Sequence, residues 1–153
     1  MMAISDINYK IINSAPRRKG VVVLRQVDDL LYLSGHGPED EITGKPFYTG
    51  RLGESVTLEQ GRDAARICGI ILLGALQDYL GTLDKVDYIV KAFALVSSAP
   101  DFYNQEEVMD GFSDLMVEVF GDRGIHARSA MGTSNLPAGN IPVEIEIIVK
   151  VVA

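Results

Sequence analysis

Val143-Glu144-Ile145-Glu146-Ile147-Ile148-Val149-Lys150-Val151 is the stretch on which the fold turns. Every second position, from 143 to 151, is Val or Ile, and the positions between them hold Glu, Glu, Ile and Lys. Successive side chains of a strand point to opposite faces, so this strand has one apolar face and one mostly charged face. Just upstream, residues 126–134 read as another strand, joined to the first through the turn Leu136-Pro-Ala-Gly-Asn-Ile-Pro142. A connection this short predicts that the two strands pair as a hairpin.

Working outward, residues 101–120 read as a helix with Val108, Phe112, Leu115, Met116 and Val119 at helical spacing, stopped by Gly121. Residues 86–96 are a strand. Thr57-Leu-Glu-Gln60 has capping-box spacing and opens a helix of about 24 residues ending at Gly81. Its broad apolar stripe, Ala65, Cys68, Ile71, Leu72 and Leu76 among others, is wide enough to lie on a sheet. Residues 35–53 are rich in Gly and Pro and read as loop, with a turn over 40–44. Residues 21–27 and 30–34 read as a hairpin through Asp28-Asp29. The order β-β-α-β-α-β-β, with both helices on one face of a mixed sheet, predicts a single α+β two-layer domain over residues 1–153. The uncovered face, with Glu144, Glu146 and Ile148, meets either water or another subunit, and periodicity does not decide which.

The chain has 153 residues, 47% hydrophobic and 23% charged, enough to bury one core and too apolar for disorder. Its net charge of −7 repels phosphates, which argues against nucleic-acid binding and against anionic membranes. One cysteine, Cys68, allows no internal disulfide and suits a reducing cytoplasm. The first residues, MMAISDINYKII, lack the cationic-then-apolar pattern of a signal peptide. The longest apolar run, residues 67–76, is half the length of a membrane span of about 20 residues.

No phosphate loop, nucleophile elbow or metal-ligand spacing is present in the sequence, so no cofactor and no metal are expected. Arg128 lies in the small-residue run Ala127-Arg-Ser-Ala-Met-Gly-Thr133. Small neighbours leave a guanidinium free to grip a carboxylate with two parallel hydrogen bonds. The alternative is a surface arginine paired with an acid on the next strand. Glu144 and Glu146 lie on the polar face of the strand expected to pair with that of Arg128. A nearby guanidinium would lower a carboxylate's pKa and keep it ionised, holding a water; the alternative is a solvated strand face. His36, in Ser34-Gly35-His36-Gly37-Pro38, is a proton donor or acceptor or simply an exposed loop residue. His126, two residues before Arg128, shares its face. Cys68 reads as a small core residue.

Ala127-Arg-Ser-Ala-Met-Gly-Thr-Ser-Asn-Leu-Pro137 followed by Val143-Glu-Ile-Glu146 resembles the C-terminal signature of the RidA (YjgF-type) reactive intermediate deaminase family. Leu33-Ser-Gly35 resembles an earlier motif of that family. Gly50-Arg-Leu-Gly53 and the run from Gly111 to Gly121 resemble a longer branch. The resemblance covers residues 30–152. It implies a chorismate-mutase-like fold and a homotrimer whose sheets surround a central barrel, with clefts between subunits. It implies hydrolysis of 2-imino acids or their enamine tautomers to 2-keto acids with release of ammonia, without cofactor. Carried over, Arg128 binds the substrate carboxylate and Glu144 orients the water. Ser34, Gly35 and the backbone near Ala130 line the site, and His36, His126, Glu146 and Asp110 stand behind them. Here Val21 takes the place of the family's early aromatic residue, Ala130 that of a cysteine and Asp110 that of an asparagine, and the turn before Glu144 is one residue longer. These departures motivate an alternative, a non-catalytic trimer that binds a metabolite or a protein partner. Some relatives are described as endoribonucleases, a role that an acidic chain with 7% aromatic residues and no Trp serves poorly.

Overall fold

A computed structural model describes residues 20–40 and 42–153. The N-terminal stretch read for a signal peptide, and Glu41 within the expected 40–44 turn, lie outside the described residues. Five strands, β1 (Leu24–Val27), β2 (Leu30–Leu33), β3 (Val86–Ser97), β4 (Ala127–Thr133) and β5 (Val143–Val151), form one sheet in the order β1-β2-β5-β3-β4. Helices α1 (Leu58–Leu80) and α2 (Gln105–Phe120) pack on each other and on one face of that sheet. The architecture is the α+β fold expected.

Local chemistry explains the elements. The Thr57 hydroxyl accepts from the Gln60 N–H and the Gln60 side chain accepts from the Thr57 N–H, closing the capping box. Gly81 ends α1 in the left-handed conformation, φ 80°. β1 and β2 pair antiparallel through Asp28-Asp29, and the Ser34 N–H adds a further rung to the Val23 carbonyl. Val143, Ile145, Ile147, Val149 and Val151 of β5 are all buried against the helices, with Leu72, Phe112 and Met116 among their neighbours in the core. Cys68 belongs to that core, and burial pushes its thiol pKa well up. No helix among the described residues is long and apolar enough to cross a membrane.

Two expectations are corrected. β4 does not pair with β5: it pairs in parallel with β3, which lies between them and is antiparallel to β5. Residues 138, 139 and 140 all have positive φ, so the connection does not reverse tightly. It crosses the end of β3, where the Ser97 hydroxyl donates to the Asn140 side chain and the Ser97 N–H to the Pro142 carbonyl. The nine residues 134–142 reach across two strand spacings, roughly 10 Å, which a two-residue turn does not. The second helix starts at Gln105 rather than 101. A turn closed by the Phe102 N–H on the Ala99 carbonyl uses the intervening residues to bring Phe102 against the core.

Candidate functional site

Directly paired residues share a face of a sheet, so the register divides the expected site in two. Arg128 lies beside Ala92, which lies beside the buried Ile147, and this row faces the helices. Ser129, Phe93 and Glu146 form the next row, and Met131, Leu95 and Glu144 a third, both on the opposite, uncovered face. Arg128 and the two glutamates are therefore back to back. The expectation that the Arg128 and Glu144 strands are neighbours, with the guanidinium lowering the glutamate's pKa, is overturned by the strand order.

On the helix side, α2 presents Asp110 and Ser113, one turn apart and so on one face, to Arg128. Arg128 Nη1 donates to Asp110 Oδ1 at 3.1 Å and to Ser113 Oγ at 3.0 Å, and Nη2 donates to the Glu106 carbonyl at 3.3 Å. The acid partner thus comes from a helix and not from the next strand. Asp110 lies beside Arg128, and His126 meets the same serine: its Nε2 is 3.0 Å from Ser113 Oγ. Its Nδ1 is 2.7 Å from the Gly124 carbonyl. Burial, and the charge of Arg128, lower the pKa of His126. Ala130 lies two residues along the same face, part-buried against the core. These bonds use both Nη1 hydrogens of Arg128 and one on Nη2. The Nε–H has no acceptor among the described residues, and it lies on the edge, shared with Nη2, with which arginine grips a carboxylate side-on. The Arg128 side chain keeps 19% of its surface exposed.

Tyr32 lies opposite Ile148 on the uncovered side, while His36 bridges Ile145, whose side chain is buried on the helix side. The β2 side thus carries one residue more than the β5 side, a bulge around Ser34-Gly35 beside Glu144. A Cβ on Gly35 would come within 2.9 Å of Glu144 Oε2, so the glycine lets the carboxylate lie on the backbone. Burial first, then the charges of Glu146 and Glu39, raise the pKa of Glu144. Glu39, in the 35–53 loop, is raised by burial as well. The Ser34 hydroxyl is committed to the Val22 carbonyl at 2.6 Å. The His36 ring is half-buried, with Nδ1 at 2.7 Å from the Ser34 carbonyl. Val21 is 54% exposed, and Val22 beside it lines a hollow of about 570 Å³ with Arg25, Tyr32, Lys91, Phe93 and Glu146.

Sequence reasoning missed Ser113, the Glu106 carbonyl and Glu39. The first was detectable in principle, since Asp110 and Ser113 are three apart on an expected helix. The other two depend on where loop and helix ends settle.

Comparisons with known proteins agree with this fold. The family described as "YjgF/chorismate_mutase-like, putative endoribonuclease" matches residues 23–146. Protein TCP17 of Trypanosoma cruzi is 40% identical over 121 residues, 78% of this chain and 74% of that protein. A crystal structure of a protein of unknown function from Agrobacterium tumefaciens superposes with a TM-score of 0.84 at 34% identity, covering 88% of this chain and 86% of that one. RidA from an Antarctic Psychrobacter shares the fold, with a TM-score of 0.62 at 19% identity over 93% of this chain and 99% of that one. With the signature residues 127–137 and 143–146 set on this fold, the chain belongs to the YjgF/RidA family.

Proposed function

We propose that the protein hydrolyses small 2-imino acids or their enamine tautomers to 2-keto acids, releasing ammonia, in clefts that adjacent copies of a homotrimer complete. The observation that carries this reading is the unengaged Nε–H of a part-exposed Arg128 whose Nη1 and Nη2 are held by α2. The edge that Nε shares with Nη2 suits a substrate carboxylate, and it fixes the adjacent imine carbon in one orientation. Glu144 faces the other way within its own chain, so a small substrate meets both groups only when a second copy supplies one of them. The uncovered sheet face, with Phe93, Ile148 and Tyr32 on it, is the surface such a copy would cover.

In this reading water adds to the iminium carbon and Glu144 takes its proton. The same carboxyl returns that proton to the nitrogen, the C–N bond breaks, and the hydroxyl proton follows the departing ammonia, leaving a 2-keto acid and ammonium. A carboxylate whose pKa is raised by burial is the stronger base for taking the proton of that water. No organic or metal centre is required, because a protonated imine is already electrophilic.

The test is an assay in which an amino-acid oxidase generates 2-imino acids and semicarbazide traps those that survive. The protein should lower the trapped product, and Arg128→Ala should lose at least about a hundredfold in kcat/KM, the cost of a charge-assisted bidentate grip. An unchanged yield with folded wild type across several side chains rejects the hydrolase. Saturable 2-keto acid binding without turnover would then identify a metabolite-binding protein, the reading that Ala130 and Val21 favour. Cleavage of RNA by the pure protein would favour the endoribonuclease in the family's description, which the net charge of −7 opposes.

A further inference from the structure

We infer that Ser113 and His126 are positioning residues for Arg128, forming a directional relay that fixes one end of its guanidinium and so aims the opposite edge at a carboxylate. The inference rests on reading Arg128 as the carboxylate-binding group. It gives Ser113 a role and makes that of His126 specific.

The chemistry of the groups allows one assignment. The Gly124 carbonyl, 2.7 Å from His126 Nδ1, only accepts, so Nδ1 carries a proton. In the neutral ring Nε2 is then bare and accepts the Ser113 hydroxyl proton across 3.0 Å. Arg128 Nη1 only donates, and it fills a lone pair of the same Ser113 oxygen at 3.0 Å. The bonds run one way, from Arg128 to Ser113 to His126, and the ring is anchored on the backbone at Gly124. Phe112 packs edge-on to that ring, with centroids 5.5 Å apart and planes at 70°, and removes its freedom to turn. Burial and the charge of Arg128 favour the neutral ring, and a protonated Nε2 would be a donor facing an oxygen already accepting from a cation.

Two acceptors on Nη1 do different work. Asp110, with 44% of its side chain exposed, balances charge but sits in screened surroundings. Ser113 is part-buried and held by His126. The hydrogens on Nη1 lie in the guanidinium plane, so holding both of them sets the tilt of that plane. Without Ser113 the plane is held only by the screened Asp110 and the long bond to the Glu106 carbonyl, so its tilt loosens and Nε and Nη2 point less steadily at two carboxylate oxygens.

The experiment is calorimetric titration of the full-length protein in its native assembly with 2-oxobutyrate, alongside steady-state imine hydrolysis. Ser113→Ala should weaken 2-oxobutyrate binding about tenfold and raise KM by a similar factor, with kcat little changed, as expected for one bond to a charged group. Ser113→Thr, which keeps the hydroxyl, should return to within about twofold of wild type. His126→Phe keeps a ring beside Phe112 but removes both nitrogens. It should reproduce the alanine loss, and it carries the comparison if Ser113→Ala fails to fold. Wild-type ¹⁵N spectra should show His126 protonated on Nδ1 alone at neutral pH. Ser113→Ala binding as tightly as wild type while Arg128→Ala has lost binding would overturn the relay and leave the carboxylate site standing. No binding by folded wild type would overturn both.

Discussion

Glu144 and Gly35 behave as one unit. The carboxylate lies on a backbone that has no Cβ, with three Glu144 side-chain atoms within 3.1 Å of where a Cβ would sit. Gly35 does not lie at positive φ, so alanine there fits the backbone, and only the flexible end of Glu144 must move. Gly35→Ala is therefore expected to keep stability within about 1 kcal/mol while lowering kcat at least about tenfold, read by thermal melting beside the imine assay. The His126 ring offers a second check, by pH. Its folded pKa lies below the ordinary 6.5, so between the two values the unfolded chain binds the extra proton. The stability held by the neutral ring is complete above about pH 6.5 and is lost as pH falls through that window toward the lowered folded value. The charged groups facing the ring through Ser113 are Arg128 and, behind it, Asp110. Wild-type Tm should fall relative to His126→Phe between about pH 7.5 and pH 5; parallel curves would contradict the buried neutral ring. Arg128 and Glu144 were legible as types in a pattern. Their surroundings were not, because a carboxylate's pKa depends on which charges the chain folds against it, and here those are Glu146 and Glu39 rather than Arg128.

At the scale of elements, the alternation in β5 and the capping box of α1 were readable because each is set by neighbours in sequence. Strand order was not. The Leu136–Pro142 connection has the composition of a turn, yet three consecutive residues at positive φ carry it over the end of β3. Nothing local distinguishes a hairpin from a connection that passes one strand, and that single difference moves Arg128 to the opposite face from Glu144. What fixes Arg128 is the seating of α2, and Gly111 sets it. A Cβ there would run into the Arg62 carbonyl oxygen of α1, so the two helix backbones touch at this point. Asp110 and Ser113 flank it. Gly111→Ala should cost about 2–3 kcal/mol by wedging the helices apart, and it should also weaken 2-oxobutyrate binding because both Arg128 partners shift with α2. Chemical denaturation and titration on the same sample check this. Lost stability with unchanged affinity would mean that Arg128 is positioned by β4 alone.

For the whole molecule, the sheet separates two incomplete sets of groups. One side holds a guanidinium whose nearby carboxylate, Asp110, is already engaged in an ion pair with it. The other holds a half-buried carboxylate beside a glycine bulge, on a face with Phe93, Tyr32 and Ile148 that no helix covers. A closed ring of identical subunits with head-to-tail contacts sets the helix-side edge of one copy against the uncovered face of the next, and every cleft then receives one set from each neighbour. Such an assembly predicts complementation. Arg128→Ala and Glu144→Gln subunits should each be inactive alone. After unfolding and refolding as an equal mixture, about one cleft in four should combine an intact Arg128 from one copy with an intact Glu144 from the next, restoring about a quarter of wild-type activity. If both groups acted from one chain, every cleft in the mixture would lack one of them and activity would stay at the level of the separate variants.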